Sequence, residues 1–556
     1  MNKKVCSFPI LFVLLALLIG TCAVVFPASA QAAPTSTGSI TVSGTVASSY
    51  DAYQIFDANV VDGDSDSKIA TDLAWASDAV RDAALPVLHS AGMPKSQTTA
   101  QEAAEWLNTD SHLTSALSAQ LTRSLQSSGA ASVALNAGTT AELPCGYWLI
   151  VADDDAIAQG EAGTAPVMVL VGGSAVTVKP KAATPKVAKH VLEDSTAAWG
   201  KAADATVADD LYWRLSATVP AGLTAYDTYT VQFVDTMSAG LDPSKVAASM
   251  HVYVAAGADG GFDAVSTGKD GRAGTEPAKG WTDITAQCAT KVAADGKTFA
   301  VRTGDLIAAL GGADAFAAGA RVVAVYNAPL NGACNHGIAK GNPNEVYLRY
   351  PRSPFADQSG DAGFTRTPSD DACAYTWDLA LTKRGSDGDK PLAGAVLSIA
   401  DDRGRTLAAD GTWGAEGKAT VTTGEDGRVT VSGVDSGKLE VRELKAPKGY
   451  TAFEGTRSVT VKAEGLDVDQ VAAAKPKLTI TAESPLRADS ADGSTGSLEA
   501  SLINTPTGTP PSITTGGFMP STGDMAMYAA AAAAVAGAAL IVVALLVKRG
   551  GGSHKE

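Results

Sequence analysis

Residues 375–383 read YTWDLALTK, a strand pattern in which apolar and polar side chains alternate. Because successive strand residues point to opposite faces of a sheet, Leu379, Leu381 and Lys383 share one face. Similar short segments follow, separated by turn residues: AVLSIADD (395–402), KATVTTG (418–424), RVTVSGV (428–434) and KLEVREL (438–444). This spacing predicts a β-sandwich over residues 373–505.

The preceding block, residues 182–372, has the same character. Its predicted strands are LYWRLSATV (211–219), YTVQFVDTM (229–237), MHVYVAA (250–256), RVVAVYNAPL (321–330) and NEVYLRY (344–350). Turn residues separate these segments at intervals typical of sandwiches. We therefore expect a second β-sandwich directly before the first.

Residues 31–181 predict a mixed domain. The segment 38–60 alternates as a half-buried strand does, and strands return at 146–154 and 165–173. Between them, helices are expected at 72–88 and 100–125, the second opened by Thr99 and Glu102 in a capping-box arrangement. The segment 179–191, rich in lysine and proline, reads as a linker that runs into a strand.

Composition limits the function. The chain has 556 residues, which is too long for one core, and its net charge of −16 argues against a nucleic-acid partner. No arrangement of nucleophile, base and oxyanion donor can be traced, so no enzyme is expected. Because no CxxC motif or histidine cluster is found, no metal site is expected either, and no cofactor is predicted. The six histidines, His336 among them, are interpreted as ordinary surface or packing residues.

Cysteine usage gives little information. Cys6 and Cys22 fall within residues 1–30, the predicted signal peptide, and four cysteines remain: Cys145, Cys288, Cys334 and Cys373. Four cysteines allow three pairings. A disulfide among Cys288, Cys334 and Cys373 is expected because they lie in the middle of the chain.

The N-terminus has the layout of a secretory signal peptide. Lys3 and Lys4 precede an apolar stretch at 10–26, and the small-residue site Ala28-Ser29-Ala30 follows. Residues 1–30 are the predicted signal, with cleavage between Ala30 and Gln31. The alternative is an uncleaved membrane anchor.

The C-terminus suggests attachment to a surface. After a Thr-, Pro- and Gly-rich stalk at 506–518, the sequence Met519-Pro520-Ser521-Thr522-Gly523 precedes an uncharged run at 525–547, and Lys548 and Arg549 follow. The run is long enough to span a bilayer, with the basic residues on the cytoplasmic side. Residues 519–556 resemble the LPXTG cell-wall sorting signal, with Met519 in the Leu position. The resemblance implies cleavage between Thr522 and Gly523 by the transpeptidase sortase.

Five stretches resemble sortase-assembled Gram-positive pilin subunits of the major shaft type. They are YDAYQIFDA (50–58), FVDTMSAGL (233–241), GNPNEVYLRYPRSP (341–354), LTKRGSDGDKPLAGAVLSI (381–399) and VRELKAPKGYT (441–451). The resemblance implies a mostly β chain of tandem Ig-like and prealbumin-like sandwiches, the last of the Cna B type and the first with a helical insertion.

The resemblance also implies intramolecular isopeptide bonds. In the third domain it assigns Lys383 and Asn504 as the linked residues and Glu443 as the assisting acid; the alternative is an ordinary Lys383–Glu443 ion pair. In the middle domain it assigns Lys189 and Asp235. The expected asparagine position after LRY holds Arg352, so this second bond lacks its expected acceptor; the alternative is that Lys189 is an unreacted strand lysine.

The function implied is that of a structural pilus subunit, secreted and covalently attached to the cell wall after a transient membrane stage, and serving adhesion. Lys181 is the residue implied for polymerisation, with Lys179 as runner-up; otherwise Lys181 is a solvated linker lysine. The implied partners are sortase, other pilin subunits, a peptidoglycan precursor and a ligand on a host or bacterial surface. The alternative is a monomeric wall-anchored adhesin.

Overall fold

The computed structural model describes residues 36–64, 67–109, 111–163, 165–180, 184–268, 270–414 and 418–508. These residues form three successive units of packed β-sheets, which we call the first, second and third sandwiches. The prediction of a mostly β chain of tandem sandwiches, with helices inserted in the first, is confirmed.

The described part of the first sandwich contains eight strands and three helices. They are β1 (Thr37–Val42), β2 (Ser49–Asp62), β3 (Lys68–Trp75), α1 (Asp78–Ser90), α2 (Ala100–Asn108), α3 (Ser115–Ser128), β4 (Val133–Asn136), β5 (Thr140–Pro144), β6 (Gly146–Ala152), β7 (Val167–Val171) and β8 (Val176–Val178). The sheet built on β2 and β6 has two covered faces. Tyr50 and Trp148 pack toward the small β5–β1–β8 sheet, whereas Phe56 and Leu149 pack against the helices.

The helical insertion differs from its prediction at two points. The helix expected over 72–88 begins only at Asp78, because Lys68–Trp75 form β3. The helix expected over 100–125 is two helices, α2 and α3. The capping box is present: Thr99 accepts from the Glu102 amide, and the Glu102 side chain accepts from the Thr99 amide. A second N-cap divides the predicted helix in two: the Thr114 side chain accepts a hydrogen bond from the Leu117 amide, and α3 begins there.

The second sandwich consists of two large sheets around one core. Its elements are β9 (Lys186–Glu193), β10 (Ala198–Gly200), β11 (Ala202–Asp204), β12 (Tyr212–Val219), β13 (Gln232–Met237), α4 (Val246–Ser249), β14 (His251–Ala256), β15 (Thr282–Asp283), β16 (Ala289–Val292), β17 (Thr298–Arg302), α5 (Leu306–Ala309), α6 (Ala313–Phe316), β18 (Ala320–Asn327), β19 (Asn342–Pro351), β20 (Phe364–Arg366) and β21 (Asp370–Tyr375). One sheet has the order β10-β9-β12-β18-β14-β15 and the other β11-β21-β19-β13-β17-β16. Trp213 and Phe233 lie fully buried between them.

The third sandwich follows almost at once, because β21 ends at Tyr375 and the next strand begins at Trp377. Its strands are β22 (Trp377–Gly385), β23 (Val396–Ala400), β24 (Thr406–Leu407), β25 (Trp413–Gly414), β26 (Val421–Thr422), β27 (Arg428–Val434), β28 (Gly437–Lys445), β29 (Tyr450–Thr451), β30 (Thr456–Glu464), β31 (Lys477–Ala482), β32 (Leu486–Asp492) and β33 (Ser497–Pro506). One sheet has the order β27-β22-β33-β29, and the facing sheet contains β23, β28 and β30.

The predicted disulfide among Cys288, Cys334 and Cys373 is wrong: these thiols are free. Each one has a separate noncovalent partner. Cys288 contacts the Ile284 carbonyl at 3.3 Å, Cys334 contacts His336 at 3.6 Å, and Cys373 contacts the Ala374 carbonyl at 3.7 Å. Two of them nevertheless adjoin one core, because Cys334 belongs to the buried cluster of the second sandwich and Cys288 packs against it, whereas Cys373 belongs to the core of the third sandwich.

Across the described ranges, no helix combines the length and the apolar character needed to cross a membrane. The predicted run at 525–547 lies outside these ranges.

Candidate functional site

The third sandwich places Lys383, Glu443 and Asn504 together between its two sheets. Lys383 on β22 and Asn504 on β33 belong to one sheet, and Glu443 on β28 belongs to the other. Strands β22 and β33 are parallel neighbours in which Lys383 pairs with Leu502, two positions before Asn504. The period of two therefore points both side chains toward Glu443.

One oxygen of Glu443 contacts both other side chains. The Asn504 amide nitrogen donates to Glu443 Oε1 at 2.9 Å, and Lys383 Nζ lies 3.6 Å from the same oxygen. Lys383 also donates to the Leu502 carbonyl at 3.2 Å, and the Phe453 amide donates to Glu443 Oε2 at 3.1 Å. Asn504 Oδ1 has no hydrogen-bond partner within the described part of the chain.

Burial controls the protonation of the lysine in this cluster. Lys383 is fully buried, and Glu443 and Asn504 are 6% and 2% exposed. Burial lowers the pKa of Lys383 to about 8, although the Glu443 carboxylate acts in the opposite direction. The amine can therefore lose its proton near neutral pH, which makes it a nucleophile next to an amide.

A second cluster lies in the core of the second sandwich. Lys189 on β9 contacts Asp235 Oδ2 on β13 and donates to the Tyr326 hydroxyl on β18 at 2.9 Å. Tyr326 donates to Asp235 Oδ2 at 2.9 Å, and the Asn344 amide on β19 donates to the Tyr326 hydroxyl at 2.8 Å. Lys189, Asp235, Tyr326 and Asn344 are all fully buried. This cluster again contains a lysine, an acid and an asparagine.

Burial lowers the pKa of Lys189 to about 8 against the opposing attraction of Asp235. It also raises the pKa of Asp235, in spite of Lys189. Both shifts favour a neutral amine beside a protonated acid. Asp235 Oδ1 and Asn344 Oδ1 have no hydrogen-bond partner among the described residues.

Sequence reasoning assigned Lys189 and Asp235 but sought the asparagine at the position of Arg352. Arg352 lies outside this core, and its Nη1 donates to the Asp154 carbonyl of the first sandwich at 3.0 Å. Asn344 holds the position beside Tyr326 instead. The alternation of β19 could have identified it, because Asn344, Val346 and Leu348 share the buried face.

Of the residues implied in polymerisation and sorting, only Lys179 belongs to the part of the chain that the structure describes. Lys179 is exposed and lines a cleft between the first and second sandwiches, beside Val167 and Tyr226. Lys181, the signal cleavage site Ala30/Gln31 and the sorting signal Met519–Gly523 lie outside the described residues. Within those residues, no group of three or more His, Cys, Asp or Glu side chains could hold a metal ion.

The fold and the buried clusters define a protein of tandem β-sandwiches, and a family model identifies one of them. Residues 378–475 match the SpaA prealbumin-like fold domain. The predicted prealbumin-like character of the third sandwich is therefore confirmed.

One curated relative adds to this match. The trypsin-resistant surface T6 protein of Streptococcus pyogenes serotype M6 is 28% identical over 143 residues, which are 24% of this chain and 24% of the relative. The chain thus matches about a quarter of the length of that protein. The resemblance to pilin subunits is supported by this relative and by the family model.

Solved pilin structures also align with the chain. The T6 backbone pilin of serotype M6 Streptococcus pyogenes is 16% identical, with a TM-score of 0.45, over 85% of this chain and 98% of that one. The full-length major pilin SpaD of Corynebacterium diphtheriae is 16% identical, with a TM-score of 0.40 and the same shares of both chains. The major pilin RrgB of Streptococcus pneumoniae is 14% identical, with a TM-score of 0.36, over 67% of this chain and 85% of its own.

Proposed function

We propose that this chain is a structural subunit of a sortase-assembled pilus, covalently anchored to the wall of a Gram-positive cell and serving adhesion. The observation that carries the proposal is the buried cluster of Lys383, Glu443 and Asn504, which lies between the first and last strands of the third sandwich. A covalent bond between those strands would suit a fibre that is pulled from its two ends.

The cluster supports a specific reaction. The neutral amine of Lys383 attacks the side-chain carbonyl carbon of Asn504, a new Nζ–Cγ bond forms, and the Cγ–Nδ2 bond breaks. Glu443 Oε1 contacts both nitrogens, so this oxygen can take a proton from Nζ and deliver it to the departing ammonia. The products are an isopeptide bond and ammonia, and no external reagent is consumed. The chain acts on itself once and is not proposed to be an enzyme.

A second bond, between Lys189 and Asn344, is proposed in the second sandwich. Asp235 contacts the lysine directly, and Tyr326 connects both groups to Asn344. The arrangement differs from the first cluster because the tyrosine hydroxyl lies between the acid and the asparagine. We propose that Tyr326 relays the proton from Asp235 to the amide.

Anchoring is proposed to use the sorting signal Met519–Gly523. Sortase would cut between Thr522 and Gly523 while the run at 525–547 holds the precursor in the membrane. The Thr522 carbonyl then passes to an amine, either of a peptidoglycan precursor or of a neighbouring subunit. In this proposal, Thr522→Ala leaves the protein in the membrane fraction instead of the wall.

Polymerisation is proposed to use Lys181, with Lys179 as the second choice. The cleft that Lys179 lines is open to solvent, which supports access by the sorting signal of another subunit. Lys181→Arg keeps the charge but removes a usable nucleophile, because guanidinium stays protonated.

An immunoblot of wall extracts tests the assembly. A high-mass ladder is expected, and Lys181→Arg should reduce it to the wall-linked monomer. A ladder that survives both Lys181→Arg and Lys179→Arg would exclude these lysines as the nucleophile in polymerisation. A single band from the unmutated chain would instead favour the monomeric wall-anchored adhesin.

A further inference from the structure

A cysteine, a histidine and an aspartate lie in contact at the junction of the second and third sandwiches. Cys334 Sγ is 3.6 Å from His336 Nε2, and His336 Nδ1 is 2.8 Å from Asp378 Oδ1. Cys334 and His336 belong to the loop between β18 and β19, whereas Asp378 lies on β22 of the third sandwich. The imidazole thus bridges a thiol on one sandwich and a carboxylate on the next.

The backbone holds this loop against the third sandwich. The Cys334 amide donates to the Asn331 carbonyl at 3.0 Å, and the Gly337 amide donates to the Thr376 carbonyl at 3.0 Å. Gly337, with φ of +75°, packs so closely on Gly496 that an added Cβ would lie 2.5 Å from the Gly496 nitrogen. Asp378 is also fixed, because it accepts from the Gly433 amide at 3.2 Å.

The charges favour a protonated imidazole. Asp378 and Cys334 raise the pKa of His336 to about 10 against the effect of burial. Burial opposes ionisation of Asp378, but the contact with His336 is among the interactions that hold the pKa of Asp378 below its usual value. An imidazolium beside a thiol stabilises the thiolate, which is the reactive form of cysteine.

The other cysteines lack this environment. Burial raises the pKa of Cys288 and of Cys373 to about 11, so both are protonated at neutral pH. Cys145 is 3% exposed and accepts a hydrogen bond from Ser36. Cys334 keeps 9% of its surface exposed, and the side chains of His336 and Asp378 keep 27% and 32%.

We propose that Cys334 is a reactive thiol that undergoes exchange with low-molecular-weight disulfides, with His336 as the proton donor and Asp378 as the residue that positions it. The Cys334 thiolate attacks one sulfur of the disulfide, a new S–S bond forms, and the old S–S bond breaks. The departing thiolate takes the proton of His336, so one thiol and one mixed disulfide result. The adduct lies at the junction between the two sandwiches.

The test uses the intact secreted chain and an aromatic disulfide, 2,2′-dithiodipyridine, with peptide mapping to identify the modified cysteine. Cys145, Cys288 and Cys373 serve as controls within the same molecule. Cys334 should react at least about ten-fold faster than each of them between pH 5 and pH 8. A Cys334 rate no higher than theirs overturns the proposal.

Two variants separate the chemical role from a structural one. His336→Gln should slow Cys334 about ten-fold at pH 6 and make its rate rise with pH toward the ordinary thiol pKa of about 8.5. Asp378→Asn should have a smaller effect in the same direction. An unchanged pH profile in His336→Gln contradicts the proposal. If His336→Gln also makes Cys145, Cys288 or Cys373 reactive, the variant has disturbed the fold, and the pH profile of the unmutated chain decides instead. The proposal is overturned if the Cys334 reaction rate in the unmutated chain rises with pH as that of an ordinary thiol does.

Discussion

Lys383 and Asn504 project from neighbouring parallel strands onto the same oxygen of Glu443. The two strands are β22 and β33, the first and last of the third sandwich. A bond between these side chains would close nearly the whole domain into a covalent loop. Tension applied to the ends of the domain would then pass through that bond before it reached the sheet.

The first prediction concerns the mass of the chain. With both proposed bonds formed, the secreted chain should weigh two ammonia molecules less than its sequence, and Glu443→Ala should restore one of them. Loss of a cross-link that closes a loop of about 120 residues should cost on the order of 4–5 kcal/mol of unfolding free energy. Intact-mass spectrometry and chemical denaturation measure these two quantities.

Lys390→Ala is the matched control for this prediction. Lys390 also lies in the third sandwich, but its side chain is exposed and pairs with Asp387. This variant should keep the mass deficit and most of the stability. If the unmutated chain has the full mass calculated from its sequence, the bond does not form, and Lys383 and Glu443 are an ordinary ion pair.

The second prediction identifies the acceptor in the second sandwich. Asn344→Ala should restore one ammonia to the mass, and the digest should lose a peptide pair that joins Lys189 to Asn344. Arg352→Ala should leave the mass deficit and the cross-linked peptide pair unchanged, because Arg352 contacts the first sandwich instead of the Lys189 core. A cross-linked peptide from Lys189 to any residue other than Asn344 refutes the assignment.

Local patterns were enough to predict part of this architecture. The alternation of Leu379, Leu381 and Lys383 predicted one face of β22, and all three side chains are buried. The Thr99–Glu102 capping box was also predicted and is present. Both features depend on residues close in sequence, which is why a single segment was sufficient to predict them.

Other features depend on contacts between distant segments, and sequence patterns did not reveal them. Tyr326 joins the Lys189 cluster only because β18 and β13 face each other across the core. His336 looked like an ordinary packing residue, since Asp378 reaches it from another sandwich. The disulfide prediction failed for the same reason: sequence spacing does not give the separation of side chains in space.

The third prediction concerns pH. Glu193 is buried beside Asp204, and its Oε2 accepts from the Asp204 amide at 3.1 Å. Burial and the charge of Asp204 raise the pKa of Glu193 to about 7. In the folded protein, the Glu193 carboxyl therefore keeps a proton that it releases above about pH 4.3 in the unfolded chain. The stability that this difference provides is lost as pH rises through 7.

Glu193→Gln should remove this pH dependence. Between pH 5 and pH 8, the unmutated chain should lose on the order of 1–3 kcal/mol more unfolding free energy than the variant. Glu142→Gln is the control, because Glu142 is exposed on β5 and should not change the profile. Parallel profiles for Glu193→Gln and the unmutated chain would show that this carboxyl does not titrate with folding.

The fourth prediction concerns the junction between the second and third sandwiches. Asp209 of the second sandwich accepts hydrogen bonds from Arg405 Nη2 at 2.8 Å and from Arg403 Nη1 at 2.9 Å. Arg405 contacts both carboxylate oxygens of Asp209. The Asp209 side chain is only 9% exposed. A two-pronged contact of this kind, largely shielded from water, should couple the unfolding of the two sandwiches.

A double-mutant cycle of Asp209→Ala and Arg405→Ala should give a coupling of about 1–3 kcal/mol in chemical denaturation. Either single variant should also separate the unfolding of the two sandwiches into two transitions. The cycle for Arg487 and Asp489, a more exposed pair within the third sandwich, should give less, about 0.2–1 kcal/mol, because water screens that contact. Equal couplings in the two cycles would mean that the Asp209 contact does not hold the sandwiches together, and the direct continuation of β21 into β22 would then be the main connection.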